Sequence, residues 1–291
     1  MKPPPFEYDA PATTNEALQL LREHGLEGKV LAGGQSLVPL LNFRLARPSR
    51  LIDINGLGEL THVRRQDGRL RVGAVARQSA LERSTIVREH WPLLHEAIGW
   101  VAHAQIRNRG TVGGSIAHAD PAAELPVVLA ALEGSVRVRS TRGERTIPWN
   151  ELFVTHLTTS LDPDELLVEV ELPPQPPRTG TAFVEYARRH GDFALGGAAV
   201  TLTCDEDGAC RSAGIALLSA APTPLRAAAA EEVLSGRHVD EEAAREAAAA
   251  GVRDIDPTGD IHGSSAYRRR LVEAMVRRAI TTAAGRVPQE V

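Results

Sequence analysis

Two short glycine-rich segments have the residue types and the spacing that bind phosphate groups. The first is Ala32-Gly33-Gly34-Gln35-Ser36-Leu37, and the second is Thr111-Val112-Gly113-Gly114-Ser115. A Gly-Gly pair allows backbone conformations that a side chain forbids, and it lets amide N–H groups come close to an anion. Each segment also carries hydroxyl side chains. Two such loops in one chain predict a ligand with two phosphates that is held from both sides, as in a dinucleotide.

Neither loop matches the better-known nucleotide-binding patterns. Gly-x-Gly-x-x-Gly occurs in neither, and neither continues into the Gly-Lys-Ser/Thr of a P-loop. Without such a glycine motif, we interpret Asp53 as a strand-end cap rather than a ribose ligand. His118 and Asp120 form a His-x-Asp pair with no third ligand at a useful spacing, so we expect no metal site. No nucleophile arrangement follows from residue order, and we expect no catalytic residue.

The composition excludes several function classes. A chain of 291 residues has room for two or three domains at roughly 100–200 residues each. The net charge of -4 gives no basic footprint for nucleic acid. No apolar run approaches the ~18 residues that span a bilayer, so we expect no transmembrane segment. Residues 1–5 include one basic residue and no apolar stretch, so we expect no signal peptide and a cytoplasmic protein.

The cysteine count constrains redox chemistry. The two cysteines, Cys204 and Cys210, flank a predicted hairpin turn. A disulfide can be drawn across that turn, but reduced thiols are favoured because nothing indicates a secretory context. A [2Fe–2S] cluster is normally bound by four cysteine thiolates. Any iron–sulfur cluster that works with this chain must therefore lie on a partner.

Residues 1–55 are predicted to form a small unit of strand, helix and strand around the first loop. Thr13 and Glu16 have the spacing of a capping box at the start of a helix. A strand at Lys29–Leu31 leads into the loop, and Ser36 is placed to cap the helix that follows. A second strand comes after that helix.

Residues 56–176 are predicted to hold a hairpin, a helical stretch and further strands. Asp67-Gly68 between alternating residues is typical of a hairpin turn. Helical sequence runs from about residue 79 to residue 99, with a break near Pro92. The strand Leu166–Leu172 alternates, with Val168, Val170 and Leu172 on one side and Glu169 and Glu171 on the other.

Residues 177–291 are predicted to form a separate α+β domain. The preceding segment Pro173–Pro177 contains four prolines, which neither a sheet interior nor a helix accommodates. Three strands and then three helices are expected beyond it, in the α+β pattern. In the last helix, apolar residues recur at helical spacing at Tyr267, Leu271, Met275 and Ala279.

Four segments together resemble one protein family. Leu31–Pro39 and Arg109–Ala122 resemble the two FAD loops of the medium, flavin-binding subunits of molybdenum hydroxylases. Tyr186–Ala194 resembles a third signature of that family, and Ser264–Arg269 resembles the motif that opens its last helix. The four matches run in the family's order and span most of the chain. The family includes carbon monoxide dehydrogenase medium subunits and xanthine dehydrogenase FAD subunits.

This resemblance implies a fold and a cofactor. The implied fold is α+β, with two FAD-binding subdomains of the vanillyl-alcohol-oxidase (PCMH) type at residues 1–55 and 56–176. A small sheet-plus-helices domain of the carbon monoxide dehydrogenase flavoprotein type follows at residues 177–291. The implied cofactor is FAD. The residues implied to bind it are Ala32, Gly33, Gly34, Gln35, Ser36, Leu37, Thr111, Val112, Gly113, Gly114, Ser115, Asp120, Glu124, Leu161 and Tyr186.

The resemblance also implies a role. Such a subunit receives electrons on its FAD from a small [2Fe–2S] subunit and passes them to an external acceptor. The resemblance also implies a large molybdopterin subunit as a partner and assembly as a dimer of heterotrimers. Two alternatives stay open from the sequence. One is a self-contained FAD-dependent oxidase or reductase of the same fold, and the other is a flavin-free scaffold subunit.

Overall fold

The computed structural model describes residues 2–288. Residues 1 and 289–291 lie outside this range. They belong to the terminus for which we expect no signal peptide and to the end of the predicted third domain. Within it the chain forms three successive groups of elements, each with its own sheet. The α+β fold class is confirmed, whereas the division at residues 55/56 and 176/177 stays a prediction.

The first group surrounds the first glycine loop, as predicted. Its elements are β1 (Glu7–Asp9), α1 (Thr14–His24), β2 (Gly28–Leu31), α2 (Leu37–Asn42) and β3 (Arg50–Asp53). The strands form a parallel sheet in the order β1-β3-β2. Buried Ala17, Leu18 and Leu21 of α1 pack with Ile52 of β3 in one apolar cluster.

The two predicted helix caps have different outcomes. Thr13 does cap α1, since its side chain accepts the Glu16 N–H. Glu16 does not complete a capping box, because its carboxylate accepts the N–H of Ala12 rather than that of Thr13. Ser36 occupies the cap position of α2, but its side chain makes no capping hydrogen bond. The first loop is thus fixed by its backbone and neighbours.

The second group is built on a five-stranded antiparallel sheet. Its strands have the order β4-β5-β10-β6-β7. They are β4 (Val63–Gln66), β5 (Arg69–Gly73), β6 (Ser135–Ser140), β7 (Gly143–Pro148) and β10 (Leu166–Leu172), and a small hairpin adds β8 (Phe153–Thr155) and β9 (Thr158–Thr159). The predicted turn between β4 and β5 is confirmed, with positive φ at Asp67 and Gly68.

Seven helices belong to this second group in the described range. They are α3 (Gln78–Arg83), α4 (Thr85–His90), α5 (Pro92–Ile98), α6 (Ala104–Arg107), α7 (Val112–His118), α8 (Glu124–Ala131) and α9 (Trp149–Leu152). The predicted helical stretch at 79–99 is therefore three helices. It breaks at Ser84, which caps α4 through the Val87 N–H, as well as before Pro92.

The predicted sidedness of β10 holds for Val170 and Leu172 but is wrong for Val168. A bulge interrupts its pairing with β6 between Leu167 and Glu169, so one extra residue shifts the alternation. Val168 packs with the first group of elements, whereas Val170 and Leu172 lie in the core of the second. Glu169 is buried among His62 and Arg137 rather than solvated. This strand therefore has an apolar cluster on each side.

The third group is a four-stranded antiparallel sheet with helices on it. Its strands are β11 (Thr179–Tyr186), β12 (Gly196–Cys204), β13 (Cys210–Leu218) and β14 (Leu225–Arg226), and its helices are α10 (Ala228–Leu234), α11 (Glu241–Gly251) and α12 (Ser265–Ala284). The three predicted strands are confirmed, while the predicted helix at 225–234 begins as strand β14. Apolar residues of α12 pack one face of this sheet, and Phe183 on the other face belongs to the core of the second group.

The buried face of α12 lies one residue along from the predicted series. Val272, Val276 and Ile280 are buried, whereas Tyr267 is exposed; of the predicted series, Ala279 is buried. Cys204 and Cys210 are both free and buried, opposite each other in the register of β12 and β13. No helix within residues 2–288 has the length and apolar character to cross a membrane.

Candidate functional site

The two glycine loops lie against each other. A Cβ placed on Gly33 would be 2.5 Å from the carbonyl oxygen of Arg109 and 2.8 Å from the Cα of Gly110. A Cβ on Gly114 would be 3.5 Å from the Cβ of Ala32. The approach of the first loop to the lead-in of the second therefore requires glycine at position 33. The loops form one structure, as two grips on a single diphosphate require.

Each loop uses its second glycine differently. Gly34 has φ +73, in the left-handed region that favours glycine. Gly114 lies in the first turn of α7, where its N–H donates to the side chain of the capping residue Thr111 over 3.2 Å. Gly113 packs directly on strand-end residue Ala74, whose Cα would be 2.7 Å from an added Cβ. The first loop thus depends on backbone conformation, and the second depends on close packing.

A cavity of about 390 Å³ opens beside the first loop. The end of β3 contributes Asp53 and Asn55 to its wall, and the approach to the second loop contributes Ile106 and Arg109. Arg109 supplies a positive charge to this wall next to the glycine backbones. Backbone amides, small residues and one guanidinium suit a phosphate-bearing ligand, so the residues present fit the diphosphate part of FAD.

A polar clasp, formed by Asn55 and Arg77, ties the two loops together. Asn55 Nδ2 donates to the carbonyl of Ala32 over 2.6 Å. Arg77 donates through one terminal nitrogen to Asn55 Oδ1 over 2.7 Å, and through the other to the carbonyl of Arg109 over 2.5 Å. The clasp therefore connects a carbonyl of the first loop to a carbonyl at the entry of the second. The sequence interpretation missed both residues.

Asp53 is held in the ionised form at the edge of the same cavity. Its carboxylate accepts the Tyr8 hydroxyl over 2.6 Å and the Asn55 N–H over 2.9 Å. Burial acts to raise the pKa of Asp53, but these hydrogen bonds and the positive charge of Arg109 outweigh it and lower the pKa. The predicted strand-end cap agrees with this geometry, and Asp53 also lines the cavity.

The remaining first-loop residues support the backbone. Gln35 donates from Nε2 to the carbonyl of Gly33 over 2.9 Å, which closes the loop on itself. Ser36 is exposed, and Leu37 is half-buried at the start of α2. In the second loop Thr111 and Val112 are buried and Ser115 is half-buried. Ala32, Gly33, Gly34 and Gln35 line the cavity, whereas Ser36, Leu37 and the second-loop residues Thr111–Ser115 do not. A cofactor contact for the residues of the two loops stays a prediction.

Asp120 and Glu124 lie beyond α7, at the start of α8. Asp120 accepts the N–H of Ala122 over 2.8 Å, and His118 lies 4.0 Å from it. Glu124 is partly buried, and burial, with a smaller contribution from the Asp120 charge, raises its pKa to about 7. The described residues include no group of three or more His, Cys, Asp or Glu side chains that could hold a metal.

Leu161 and Tyr186 occupy different surroundings. Leu161 is partly buried and packs against the core of the second group. Tyr186 ends β11 with its side chain 45% exposed, and its carbonyl accepts the Leu195 N–H. Neither residue lines the cavity beside the first loop. A flavin contact for these two residues, and for Asp120 and Glu124, stays a prediction.

Two family models match nearly the whole chain. One is described as the FAD binding domain in molybdopterin dehydrogenase and matches residues 4–175. The other is described as the CO dehydrogenase flavoprotein C-terminal domain and matches residues 181–283. The gap between the two matches falls at the proline-rich segment before β11.

Relatives and a solved structure agree with these matches. The 6-hydroxypseudooxynicotine dehydrogenase complex subunit alpha of Paenarthrobacter nicotinovorans is 47% identical over 97% of this chain and 96% of its own length. The carbon monoxide dehydrogenase medium chain of Hydrogenophaga pseudoflava is 37% identical over 97% of this chain and 98% of its own. A solved structure of carbon monoxide dehydrogenase from the same organism superposes with a TM-score of 0.96 and 38% identity, covering 99% of this chain and 100% of that one.

Proposed function

Because the chain belongs to the family of FAD-binding medium subunits of molybdenum hydroxylases, we propose that it transfers electrons within such a complex. In this proposal electrons reach the FAD of this chain from iron–sulfur clusters on a small partner subunit. They originate at a molybdopterin centre on a large partner subunit, and they leave for an external acceptor. FAD supplies the redox chemistry, since it exchanges electrons singly or in pairs.

The contact between the two glycine loops is the observation that carries the proposal. Gly33 approaches the backbone at Arg109 and Gly110 so closely that the first loop lies directly against the entry of the second. Arg109 contributes positive charge there, and the clasp of Asn55 and Arg77 fixes the separation of the loops. In this role the chain's residues bind and orient the cofactor, and none is proposed as catalytic.

The cysteine content supports a partner rather than a self-contained electron chain. The sequence has two cysteines, and both lie in the third group of elements, opposite each other in a hairpin. Burial raises the pKa of Cys210 to about 11, so its thiolate is scarce at neutral pH. These thiols do not form a cluster site, and the proposed clusters belong to another chain.

The two alternatives have less support. A self-contained oxidase needs a substrate pocket next to the flavin, and the third group of elements is packed on α5 and α8 through apolar residues such as Phe183. A flavin-free scaffold would not need the close approach at Gly33.

We also propose that the electron-transfer complex is a dimer of heterotrimers and that it is located in the cytoplasm.

The test is reduction of the flavin in the presence and absence of the partners. The chain is produced alone and together with the large and small subunits of its complex, and flavin absorbance is followed after the substrate of the large subunit is added. We expect FAD in both preparations and bleaching in the complex alone. Bleaching of the isolated chain by an organic substrate would favour the self-contained enzyme, and a colourless chain that takes up no FAD would favour the scaffold.

A further inference from the structure

The two cysteines of the chain lie opposite each other near the tip of the hairpin between β12 and β13. The strand register pairs Cys204 directly with Cys210, and both thiols are free. The sequence contains no other cysteine. The loop site uses neither of them, because both belong to the third group of elements.

The backbone hydrogen bonds of the two cysteines point away from each other. The N–H of Cys204 donates to the carbonyl of Arg178 over 3.0 Å, on the β11 side of the hairpin. Cys210 donates to the carbonyl of Arg237 over 2.8 Å and accepts the N–H of Gly236 over 2.8 Å, on the opposite side. The two cysteines therefore form a non-hydrogen-bonded pair of the antiparallel ladder, in which side chains approach most closely.

The next pair towards the tip supports this assignment. The N–H of Asp205 donates to the carbonyl of Ala209 over 2.9 Å, and the N–H of Ala209 donates to the Asp205 carboxylate over 2.9 Å. Hydrogen-bonded and non-hydrogen-bonded pairs alternate along an antiparallel ladder, so a bonded pair at 205/209 places a non-bonded pair at 204/210. Gly208, with φ +83, completes the turn beyond the cysteines.

Both thiols lie on the same face of the sheet. Cys204 is two residues from Leu202, which belongs to the apolar cluster between this sheet and its helices. Cys210 belongs to that cluster itself. A bulge next to Cys204 leaves the exposed Arg211 as the extra residue of β13, so the bulge does not separate the two cysteines.

The geometry of such a pair matches that of a disulfide. Directly opposed Cα atoms in a non-hydrogen-bonded pair are about 4.5 Å apart. Disulfides join residues whose Cα atoms are about 4.4–6.8 Å apart. A bond between Cys204 and Cys210 therefore requires rotation of the side chains and no change of the strand register.

The two thiols differ in their access to solvent. Cys204 is 8% exposed and precedes the exposed tip residues 205–207, whereas Cys210 is 0% exposed. Burial raises the pKa of both thiols, that of Cys210 to about 11, so both are protonated at neutral pH. The thiolate is the attacking species in thiol–disulfide exchange. An oxidant from solvent therefore reacts first with Cys204.

We propose that Cys204 and Cys210 form a reversible thiol–disulfide site, which a low-molecular-weight disulfide oxidises. In the first step the Cys204 sulfur attacks the small disulfide, forms a mixed disulfide with one half of it and releases the other half as a thiol. In the second step the Cys210 sulfur attacks the Cys204 sulfur, forms the protein disulfide and releases the second half as a thiol. The two cysteines lose two electrons and two protons in total, and the small disulfide gains them.

The bond would connect three parts of the third group of elements. It links β12 to β13, and the backbone of Cys210 is already hydrogen-bonded to the segment between α10 and α11. Because the exchange runs backwards with an excess of small thiol, the state of the pair follows the ratio of disulfide to thiol in solution. Neither step involves FAD, so the pair is testable whether or not the chain transfers electrons.

The test equilibrates the full chain, with and without FAD, in mixtures of reduced and oxidised glutathione at about pH 8, near the ordinary pKa of a thiol. Free thiols are counted and the intact mass is measured. With excess oxidised glutathione we expect the folded wild type to lose both free thiols and the mass of two hydrogen atoms, and to carry no glutathione. Excess dithiothreitol should restore both thiols. Thiols that persist in the folded chain, a stable glutathione adduct, or a disulfide that forms only after denaturation would each overturn the proposal.

Single variants separate the roles of the two thiols. In Cys210→Ala we expect Cys204 to retain a glutathione adduct, because no second thiol displaces it. In Cys204→Ala we expect Cys210 to react at least about 10-fold more slowly than Cys204 does in Cys210→Ala, since it is enclosed and its thiolate is scarcer. Equal rates would overturn the order of the two steps.

A matched control moves the second thiol by one residue. Cys210→Ala combined with Arg211→Cys places that thiol at the exposed bulge position of β13. We expect glutathione adducts on both thiols of this control and no disulfide within the chain. A disulfide that forms in the control as readily as in the wild type would show that the register does not select the pair, and it would overturn the proposal. The wild-type measurement stands even where a variant fails to fold.

Discussion

The loop site and the carboxyl seam, by which we mean the buried surroundings of Glu185 on β11, affect acidic groups in opposite ways. At the loop site, Asp53 accepts hydrogen bonds from Tyr8 and Asn55, and its pKa is lowered. At the seam, Glu185 leaves one oxygen without a partner in the described residues, and its pKa is raised to about 8. The first region is fixed by satisfied hydrogen bonds. The second keeps a group whose protonation responds to nearby charge.

The loop site is suited to holding a ligand, whereas the protonation of Glu185 depends on its surroundings. A preorganised site binds well because its polar groups need no rearrangement when the ligand arrives. An unpartnered buried carboxyl costs stability, because its charged form loses the solvation that water supplies. Each variant proposed next changes one of the two regions. Its effect is measured as FAD affinity or as the pH dependence of stability.

Replacing Gly33 with Val should have the largest effect. The new Cβ would meet the carbonyl of Arg109 at 2.5 Å, and this atom is backbone that cannot rotate away. The loops must separate, and we expect the dissociation constant for FAD to rise at least about 100-fold, or about 2.7 kcal/mol. Flavin fluorescence quenching measures it. Gly56→Val is the matched control, because nothing lies within 4 Å of its Cβ; equal FAD affinity in both variants would show that the close approach is not required.

Replacing Glu185 with Gln should change how stability depends on pH. A carboxyl with a folded pKa of about 8 binds its proton more tightly in the folded than in the unfolded chain, where the ordinary value is 4.5. Its contribution is therefore fully present below pH 4.5 and is lost as the pH rises towards 8. We expect Glu185→Gln to gain about 3.5 kcal/mol relative to the wild type between about pH 5 and about pH 8.

Denaturant unfolding at several pH values tests this change in slope. Glu232→Gln provides the control, since that residue is exposed. A wild-type profile parallel to that of Glu185→Gln would mean that Glu185 is already ionised in the folded chain. The seam would then resemble the loop site, and the contrast between the regions would disappear.

Breaking the clasp at Arg77 should weaken FAD binding by less than a backbone clash does. Arg77→Met removes the hydrogen bonds to Asn55 and to the carbonyl of Arg109, and we expect about a 10-fold rise in the dissociation constant, near 1.4 kcal/mol. Arg77→Lys retains the charge and one donor, so its effect should be intermediate. Arg83→Met, at an exposed position of α3, is the control. Unchanged affinity in Arg77→Met would mean that the loops hold their spacing without the clasp.

The local features of the fold could be predicted from the sequence. The glycine pairs, the turn at Asp67-Gly68 and the strands of the third group depend on neighbouring residues, whose propensities and periodicity are readable. The family resemblance added FAD, and the matches to residues 4–175 and 181–283 bear it out. The prediction that both glycine loops serve one site agrees with their contact at Gly33.

Features that depend on distant contacts could not be predicted. Asn55 and Arg77 are 22 positions apart in the sequence, and no spacing pattern predicts the hydrogen bond between them. The bulge at Val168 moves a side chain to the other face of β10 without any local signal such as glycine. Glu185 looks like an ordinary outward residue of a strand, and it is buried because α5 and α8 pack over that face of the sheet. Such burial is a property of the tertiary arrangement.

The smallest expected effect concerns Tyr8, and its sign is opposite to that at Glu185. Tyr8→Phe removes the hydroxyl that donates to Asp53, an exposed hydrogen bond worth at most about 1 kcal/mol. Because the folded pKa of Asp53 is lowered, the stability from this contact is present above the unfolded pKa and is lost as the pH falls through the folded pKa. We therefore expect Tyr8→Phe to be less stable than the wild type at neutral pH and equal to it in acid, where Asp53 is protonated.

Unfolding curves of both proteins at about pH 7 and about pH 3 test this difference in stability. A stability difference that persists in acid would assign the effect to packing of the Tyr8 ring, and only a difference that vanishes there supports an ionised Asp53 at the loop site.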